Sequence, residues 1–268
     1  MRSETDSGHR PRTSHVFGRF AGRLTAAALL IGLFATGARE ARALPMSQSC
    51  GLPESLLLLP DRFTRTKALL GAGKPLRILA IGSSSTRGAG ASAPSRTYPA
   101  RLEAELARRF PLAGSDVWND GVDGEVAAET LARLKRDLAS ASPDLVIWQV
   151  GTNDAMAQVD PAAFRATLRD GIAWLRSQGV DLILMDPQFC PRVAKEPIYS
   201  AYVDIIGEVA RDMGVPVMRR YAAMRYWANR TRTPQAMLAG DSFHLNDRGY
   251  ACVAEVLAEG LARLVASR

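Results

Sequence analysis

The sequence predicts an α/β protein whose parallel sheet of five strands lies between two layers of helices. Short apolar runs, several of them closed by glycine, alternate with longer segments in which apolar residues recur three and four positions apart. Such alternation is typical of βαβ units with right-handed crossovers, which place helices on both faces of the sheet. The length of 268 residues suits one domain with a tail. Together these observations indicate a three-layer α/β/α sandwich of the flavodoxin-like kind.

The five expected strands are short apolar runs. In chain order they lie at 76–82, 115–119, 143–151, 180–187 and 215–218. The third run, PDLVIWQVG, is the strongest of them, and it ends at a glycine. Continuous apolar runs are typical of parallel strands that are buried on both faces.

Helical spacing covers the segments between and after the strands. The expected helices lie at 97–110, 125–140, 160–179, 198–214 and 248–267. In the third of them, Asp160 suits the N-cap, Pro161 suits the first turn and Gly179 ends the helix. The lead-in before the first strand, residues 44–75, is expected to contain one or two short helices. Residues 219–247 are expected to be a loop or a partly helical segment near the functional site.

Residues 1–43 are predicted to be an export signal that is removed. A polar, arginine-rich start precedes the apolar run LTAAALLIGLFATGA at 24–38, and an ARA cleavage site ends at Ala43. The apolar run is shorter than the ~20 residues that cross a bilayer, and an uncleaved membrane anchor is the alternative. The mature chain is therefore expected to be periplasmic or extracellular, with a lead-in at 44–75 and the main domain at 76–268.

The formal net charge of +7 comes largely from the predicted signal. The signal holds seven of the 34 basic residues and three of the 27 acidic ones, which leaves 27 basic and 24 acidic residues. An excess of three positive charges is too small to indicate a nucleic-acid partner.

Three cysteines, Cys50, Cys190 and Cys252, remain after the predicted cleavage. In an oxidising compartment they allow one disulfide and one free thiol, and buried thiols without a bond are the alternative. The sequence does not choose the pair. It contains no CxxC motif and no cluster of histidine with cysteine, so a structural zinc site is not predicted.

Ligands of parallel α/β folds bind outside the carboxyl ends of the strands, and the motif GSSSTRGAG at 82–90 stands at such a position. A serine at a sharp turn from strand to helix exposes its hydroxyl. The N–H groups at the start of the following helix can bind the oxyanion that the serine generates. The motif suits a serine nucleophile, and an ordinary turn with a helix cap is the alternative.

Two further motifs follow the second and third strands. In NDGVDGEVAAET, Gly121 and Gly124 lie just before a helix, where glycine lets the backbone approach a ligand and present its N–H. In GTNDAM, Asn153 offers a neutral amide donor to an oxygen that gains charge in a transition state. A helix-start turn and an Asx turn are the respective alternatives.

The sequence DSFH at 241–244 supplies an aspartate and a histidine three residues apart. The other histidines, His9 and His15, lie in the predicted signal, so His244 is the only imidazole expected in the mature chain. Asp241 can accept the Nδ1–H of His244 and leave Nε2 free to take a proton from a serine. A surface or capping histidine is the alternative.

Together the four motifs resemble those of the SGNH hydrolases, the GDSL-type esterase and lipase family, over roughly residues 76–266. GSSSTRG is similar to the first block of the family, Asn119 with Gly124 to the second, GTND to the third and DSFH to the fourth. The resemblance implies a serine ester hydrolase that needs no metal or organic cofactor. The residues that it implies for the site are Ser84 as nucleophile, Asp241 and His244 as its triad partners, and Ser84, Gly124 and Asn153 as the oxyanion hole.

One position departs from the family pattern. The acid that usually precedes the nucleophile is Ser83 here, and the run of Ser83, Ser84 and Ser85 allows the register to slip by one residue. The replaced acid is not a triad member in the family, so turnover is still expected. The resemblance leaves open how the nucleophile turn is held in place.

The four motifs build a centre that attacks carbonyl groups, but they do not select its ester. Export and the lack of a long apolar lid favour short acyl or O-acetyl groups, carried by a small molecule or a polysaccharide. Loop 188–198 and segment 219–240 are the candidate substrate walls; the side chains singled out in the second are Tyr221, Arg225, Tyr226 and Trp227. An acyltransferase with the same centre is one alternative function. A non-catalytic module that binds carbohydrate or cell envelope is the other.

Overall fold

The apolar runs of the sequence form a sheet of five strands. In chain order the strands are β1 (Leu76–Gly82), β2 (Ser115–Gly121), β3 (Leu145–Gln149), β4 (Asp181–Met185) and β5 (Val217–Met218). The computed structural model describes residues 47, 50–57, 63–193, 195–231 and 234–266.

The strands lie side by side in the order β2-β1-β3-β4-β5, and every neighbouring pair is parallel. The chain adds β2 on one side of β1 and then crosses to the other side to add β3. This reversal makes the carboxyl ends of β1, β2 and β3 the topological switch point, where ligands of such sheets bind. The predicted α/β fold with five parallel strands is confirmed.

Nine α-helices connect and cover the strands in the described part of the chain. They are α1 (Thr64–Gly71), α2 (Ser84–Arg87), α3 (Tyr98–Arg109), α4 (Ala127–Ala141), α5 (Thr152–Met156), α6 (Pro161–Ser177), α7 (Pro197–Met213), α8 (Arg220–Thr231) and α9 (Asp247–Ala266). Short 3-10 helices stand at Glu54–Leu56, Pro94–Arg96 and Pro234–Met237. Helices α1, α3, α8 and α9 bury residues on one face of the sheet, and α4, α6 and α7 on the other.

Each face of the sheet has its own core because side chains alternate along a β-strand. On β1, Ile78 and Ala80 point to the face covered by α1, α3 and α9, whereas Leu79 and Ile81 point to the opposite face. All four side chains are buried. β1 is therefore a central strand of the kind that a continuous apolar run predicts.

Helix boundaries lie near the predicted positions where the capping signals are strong. Helix α6 begins at Pro161, and the Asp160 carboxylate accepts a hydrogen bond from the N–H of Ala163 at 2.9 Å. This bond satisfies one of the backbone donors that the first turn of a helix leaves unpaired.

Segment 219–247 was expected to be either a loop or partly helical, and the structure shows the partly helical form. Helix α8 follows β5 almost directly, and it buries Ala223, Met224 and Trp227 against the core beneath α9. Helices α2 and α5 were not predicted, because four and five residues are too few to show a helical period.

A disulfide joins Cys50 of the lead-in to Cys252 on α9, and Cys190 is a buried free thiol. The carbonyl oxygen of Cys50 also accepts the indole N–H of Trp227 at 3.2 Å. The predicted signal at 1–43 lies outside the described residues. Of the helices that the structure describes, none is both long and apolar enough to span a bilayer.

Candidate active site

Ser84 and His244 are 160 positions apart in the chain and meet at the carboxyl ends of the strands. Ser84 is the first residue of α2, and its Oγ lies 2.9 Å from Nε2 of His244. Nδ1 of the same ring lies 2.6 Å from Oδ2 of Asp241. The structure therefore places the three side chains of the expected triad in one hydrogen-bonded row.

Asp241 shares a turn with the histidine. Its Oδ1 accepts the backbone N–H groups of Phe243 and His244, both at 3.0 Å. Burial alone would raise the pKa of the Asp241 carboxyl, but the hydrogen bonds from His244 and Phe243 outweigh it and lower the pKa to about 2. An ionised carboxylate favours a proton on Nδ1, which leaves the lone pair of Nε2 facing Ser84.

Gln149, the last residue of β3, holds the turn that carries Ser84. Its side-chain Oε1 accepts the backbone N–H of Ser83 at 2.9 Å and the Ser83 hydroxyl at 3.0 Å. The hydroxyl of Thr86 donates to the same oxygen at 3.2 Å. Ser83 is buried and takes part as a donor, which an ionised aspartate at this position cannot do. Sequence reasoning missed Gln149, and no local signal marks it, since it lies inside an apolar strand.

A second glutamine lies under the same turn. Oε1 of the buried Gln188 accepts hydroxyl hydrogens from Ser85 at 3.3 Å and Thr152 at 2.9 Å. It also accepts a guanidinium hydrogen of the buried Arg220 at 3.1 Å. Gln188 thus ties the first turns of α2, α5 and α8 together beneath the site.

Gly124 has a backbone φ of +79°, which a residue with a side chain adopts only under strain. A Cβ placed on Gly124 would meet no atom within 4 Å, so the backbone faces open space there. Nearby, Gly121 brings the end of β2 against α2, because a Cβ on it would lie 2.0 Å from the backbone nitrogen of Arg87. Gly121 therefore lies against α2, the helix that begins with Ser84, and Gly124 follows three residues later in the chain.

Asn153 lies on α5, and its Nδ2 donates to the carbonyl oxygen of Glu125 at 2.8 Å. This bond fixes the amide next to Gly124. Asn119 instead braces the end of β2, since its Nδ2 donates to the carbonyl of Arg87 at 3.3 Å and its Oδ1 accepts the N–H of Gly121 at 3.2 Å.

The buried Asp154 links the two helices beside Gly124 and Asn153, a role that sequence reasoning missed. Its Oδ1 accepts the N–H of Ala127 at the start of α4 (2.8 Å), and its Oδ2 accepts the N–H of Gly151 (3.0 Å). Burial raises the pKa of the Asp154 carboxyl in spite of these bonds. The available signal was its position three residues after Gly151, the N-cap residue of α5.

The candidate substrate walls separate into two groups. In loop 188–198, the exposed Arg192 lies over the ring of Phe243 at 5.3 Å, and that ring meets His244 edge-on at 4.9 Å. This loop therefore borders the histidine. In segment 219–240, Tyr226 is exposed, whereas Tyr221 packs against Phe189 at 5.5 Å.

Trp227 was wrongly expected in a substrate wall. Its side chain is 1% exposed and donates to the carbonyl of Cys50, so it belongs to the core and to the contact with the lead-in. Arg225 lies over the ring of Tyr221 at 5.8 Å.

The two cavities of note lie away from the triad. One of about 280 Å³ is lined by Phe63, Asp181 and neighbouring residues, and one of about 800 Å³ lies between α7 and β5. Neither is lined by a triad residue or an expected oxyanion donor. Within the described residues, no three His, Cys, Asp or Glu side chains are grouped so as to hold a metal ion.

Known proteins resemble this chain in sequence and fold. The arylesterase of Vibrio mimicus is 25% identical over 153 residues, which cover 56% of this chain and 72% of the arylesterase. Esterase TesA of Pseudomonas aeruginosa is 27% identical over 141 residues, which cover 52% of this chain and 67% of TesA. A solved two-domain esterase active on acetylated mannans has a TM-score of 0.66 at 23% identity, over 79% of this chain. This chain spans 56% of that two-domain protein.

Residues 49–267 match the non-GDSL lipase-like family. The expected resemblance to the SGNH hydrolases, and with it an ester hydrolase of the GDSL type, is confirmed. The name of the matching family also agrees with Ser83, which stands where the GDSL pattern has its acid. From this match over most of its length, the chain belongs to the non-GDSL lipase-like family.

Proposed function

We propose that this protein is an exported serine esterase that uses Ser84, His244 and Asp241 as a triad. The observation that carries the proposal is the row of contacts from Ser84 Oγ to His244 Nε2 (2.9 Å) and from His244 Nδ1 to Asp241 Oδ2 (2.6 Å). A base within hydrogen-bond reach of the hydroxyl, itself oriented by a third group, is the arrangement that activates a serine nucleophile.

In the acylation half of the reaction, Ser84 Oγ attacks the ester carbonyl carbon and its proton passes to Nε2 of His244. Asp241 stabilises the imidazolium and holds the ring in position. When the tetrahedral intermediate collapses, the imidazolium gives its proton to the departing alcohol. The acyl group then remains on Ser84.

The oxyanion of the tetrahedral intermediate is held by the backbone N–H groups of Ser84 and Gly124 and by the side-chain amide of Asn153. Within the described residues, those two N–H groups donate to no other acceptor. Asn153 uses one amide hydrogen on Glu125 and keeps a second. Donors fixed in advance stabilise the charge that develops in the transition state.

In the deacylation half, water replaces the alcohol. His244 Nε2 takes a proton from the water as it attacks the acyl carbon, and the same donors hold the second oxyanion. The proton then returns to Ser84 as the carboxylic acid leaves.

The substrate class that we propose is an ester of a short acyl chain or an O-acetyl group, on a small molecule or a polysaccharide. The open space in front of Gly124 suits a substrate that approaches from the surface, as does the exposed Arg192 over the ring of Phe243, which itself contacts His244. The two-domain esterase active on acetylated mannans, and the arylesterase, support these two kinds of substrate.

Export is supported by the disulfide between Cys50 and Cys252, because disulfides persist in oxidising compartments. The predicted signal at 1–43 is consistent with this location. The N-terminal residue of the secreted protein, determined by sequencing, tests the expected cleavage after Ala43.

The central test is the Ser84→Ala variant. We expect hydrolysis of p-nitrophenyl acetate to fall by at least ~10³-fold, since loss of a serine nucleophile removes the covalent route. A fluorophosphonate probe should label the wild type on Ser84, and mass spectrometry of the labelled peptide separates Ser84 from Ser83 and Ser85. Wild-type turnover by Ser84→Ala would overturn the assignment.

A panel of p-nitrophenyl esters of increasing chain length, run beside acetylated xylan and mannan, tests the substrate class. Activity that falls steeply beyond short chains supports the proposal, and a preference for long chains contradicts it. Product analysis with a sugar acceptor separates hydrolysis from acyl transfer, and folded protein that neither turns over nor takes the probe would indicate the non-catalytic binder.

A further inference from the structure

A buried arginine on α4, Arg133, contacts the end of β1, the end of β2 and the loop that carries Gly124. Its Nη2 approaches the carbonyl oxygen of Gly82, the residue before the serine run, at 3.4 Å. Its Nη1 donates to the carbonyl of Asp120 at 3.0 Å and lies 2.5 Å from the Asp120 carboxylate. Nε and Nη2 donate to the two carboxylate oxygens of Glu125, at 2.9 and 2.5 Å.

These contacts account for all five N–H donors that a guanidinium group offers. The two bonds to Glu125 form the planar fork-to-fork pair that only arginine makes. Because the Arg133 side chain is only 10% exposed and that of Glu125 only 15%, water competes little for these bonds.

Glu125 connects this contact to the expected oxyanion hole. It follows Gly124 directly in the chain, and its carbonyl oxygen accepts the side-chain amide of Asn153 at 2.8 Å. The carboxylate of Glu125 is therefore held by Arg133 while its backbone holds Asn153. Through Gly82, the same guanidinium reaches the strand end that precedes Ser84.

We propose that Arg133 is a positioning residue that fixes the Gly124 and Asn153 donors relative to Ser84. The inference rests on the proposed function, because it concerns the oxyanion hole of that reaction. Arg133 does not touch substrate; it acts through Gly82, Asp120 and Glu125. A small displacement of the donors lowers turnover, since they must meet the oxygen where the charge develops.

The test compares Arg133→Lys and Arg133→Met with Arg136→Lys. Lysine keeps the positive charge but loses the fork, and methionine removes the charge as well. Arg136 lies on the same helix with its side chain 67% exposed, and its ion pair is with the adjacent Asp137, so it is the matched control. Each variant is assayed for kcat and KM on p-nitrophenyl acetate, for the rate of fluorophosphonate labelling and for thermal unfolding.

We expect Arg133→Lys to lower kcat and the labelling rate by ~10–100-fold, with KM within about threefold of the wild type. Arg136→Lys should match the wild type in every measurement. A purely structural role predicts instead a lower unfolding temperature and a wild-type kcat for the folded fraction; that result overturns the inference. If the Arg133 variants do not fold, Glu125→Gln carries the test, since it keeps the shape but not the charge of the pair.

Failure of the inference and failure of the proposed function are distinguishable. If the wild type hydrolyses esters and is labelled on Ser84, while a folded Arg133→Lys or Glu125→Gln protein keeps the wild-type kcat, only the positioning role is wrong. If the wild type neither hydrolyses esters nor takes the label, the proposed function itself is wrong.

Discussion

Ser83 shows how one residue can replace another of opposite hydrogen-bonding character. Its hydroxyl and backbone N–H both donate to the side-chain oxygen of Gln149, and Thr86 donates a third hydrogen. The side-chain oxygen of Gln149, at the end of β3, thus accepts three hydrogen bonds from the turn that carries Ser84. The turn is held without a carboxylate, so the departure from the GDSL pattern does not by itself imply a loss of activity.

Substitution of Gly124 tests whether the backbone N–H at this position binds the oxyanion. We expect Gly124→Ala to lower kcat by ~10²-fold or more, because an alanine resists the positive φ and shifts the N–H that would bind the oxyanion. The same strain should cost about 1 kcal/mol of the free energy of unfolding. Steady-state kinetics and urea unfolding measure the two effects.

Gly179→Ala is the matched control for this variant. Gly179 has a φ of +66°, and a Cβ on it would also meet no atom within 4 Å. It ends the turn after α6, away from the triad. The Gly179→Ala variant should therefore show a similar loss of stability with a wild-type kcat. Equal losses of kcat in both variants would contradict the assignment of Gly124 to the oxyanion hole.

The residues that the sequence predicted for the site belong to short motifs in which neighbouring residues act together. Asp241 and His244 share one turn, and Ser84 and Asn153 each lie within four residues of the end of a strand, so a local pattern is enough to predict them. Gln149 and Arg133 act on partners that are distant in the chain. Gln149 bonds to a residue 66 positions away, and no short pattern records such a contact.

At the scale of secondary-structure elements, long amphipathic helices were predictable and short or irregularly patterned ones were not. Helix α6 has a proline, a capping aspartate and a regular apolar face. Helix α8 begins instead with Arg220, which is buried and bonds to the Asp186 carbonyl and to Gln188. A buried charge on the apolar face hides the helical period, so the sequence does not distinguish α8 from a loop.

The disulfide between the lead-in and α9 should carry a measurable part of the stability. Its half-cystines are 202 positions apart, so the bond closes a large loop of the unfolded chain. We expect reduction, or the Cys50→Ser with Cys252→Ser double variant, to lower the free energy of unfolding by ~3–5 kcal/mol. Urea unfolding with and without dithiothreitol measures the difference.

Cys190→Ala is the control for this experiment. Cys190 is a free thiol, so its loss should leave the effect of dithiothreitol intact. A wild-type protein whose urea midpoint does not change on reduction would show that the bond adds no stability.

At the scale of the whole molecule, the strand order determines where the chemistry lies. β1 stands between β2 and β3, so the segments that follow these three strands converge at one edge. Periodicity predicted the strands but not their order, because pairing joins residues far apart in the sequence. The order β2-β1-β3-β4-β5 is therefore known only from the structure.

The stability of the fold should depend on pH through a carboxyl group that the proposed mechanism does not use. Burial raises the pKa of Asp186 to about 7, although the backbone N–H of Tyr221 and the charge of Arg220 lower it. The unfolded chain loses this proton near the ordinary aspartate pKa of 3.8. Between those values the folded state binds more protons than the unfolded one, so the free energy of unfolding falls as the pH rises.

We therefore expect Asp186→Asn to be stabilised relative to the wild type more at pH 8 than at pH 5, by on the order of 1–3 kcal/mol. The asparagine keeps an oxygen for the N–H of Tyr221, which Asp186 Oδ1 accepts at 2.8 Å. Burial also raises the pKa of Asp154 and Asp181, so part of the slope remains. Parallel urea-unfolding curves for both proteins across this range would contradict the expectation.

The disulfide between Cys50 and Cys252 has a further consequence for limited proteolysis of this protein. Ser84 and His244 both lie between its two ends, and the stretch 195–198 between them is exposed. A cut there assigns the nucleophile and its base to different peptides, yet the covalent ring keeps both peptides in one particle. Gel electrophoresis without a thiol reagent then shows a single intact band, and two fragments separate only after the bridge is opened.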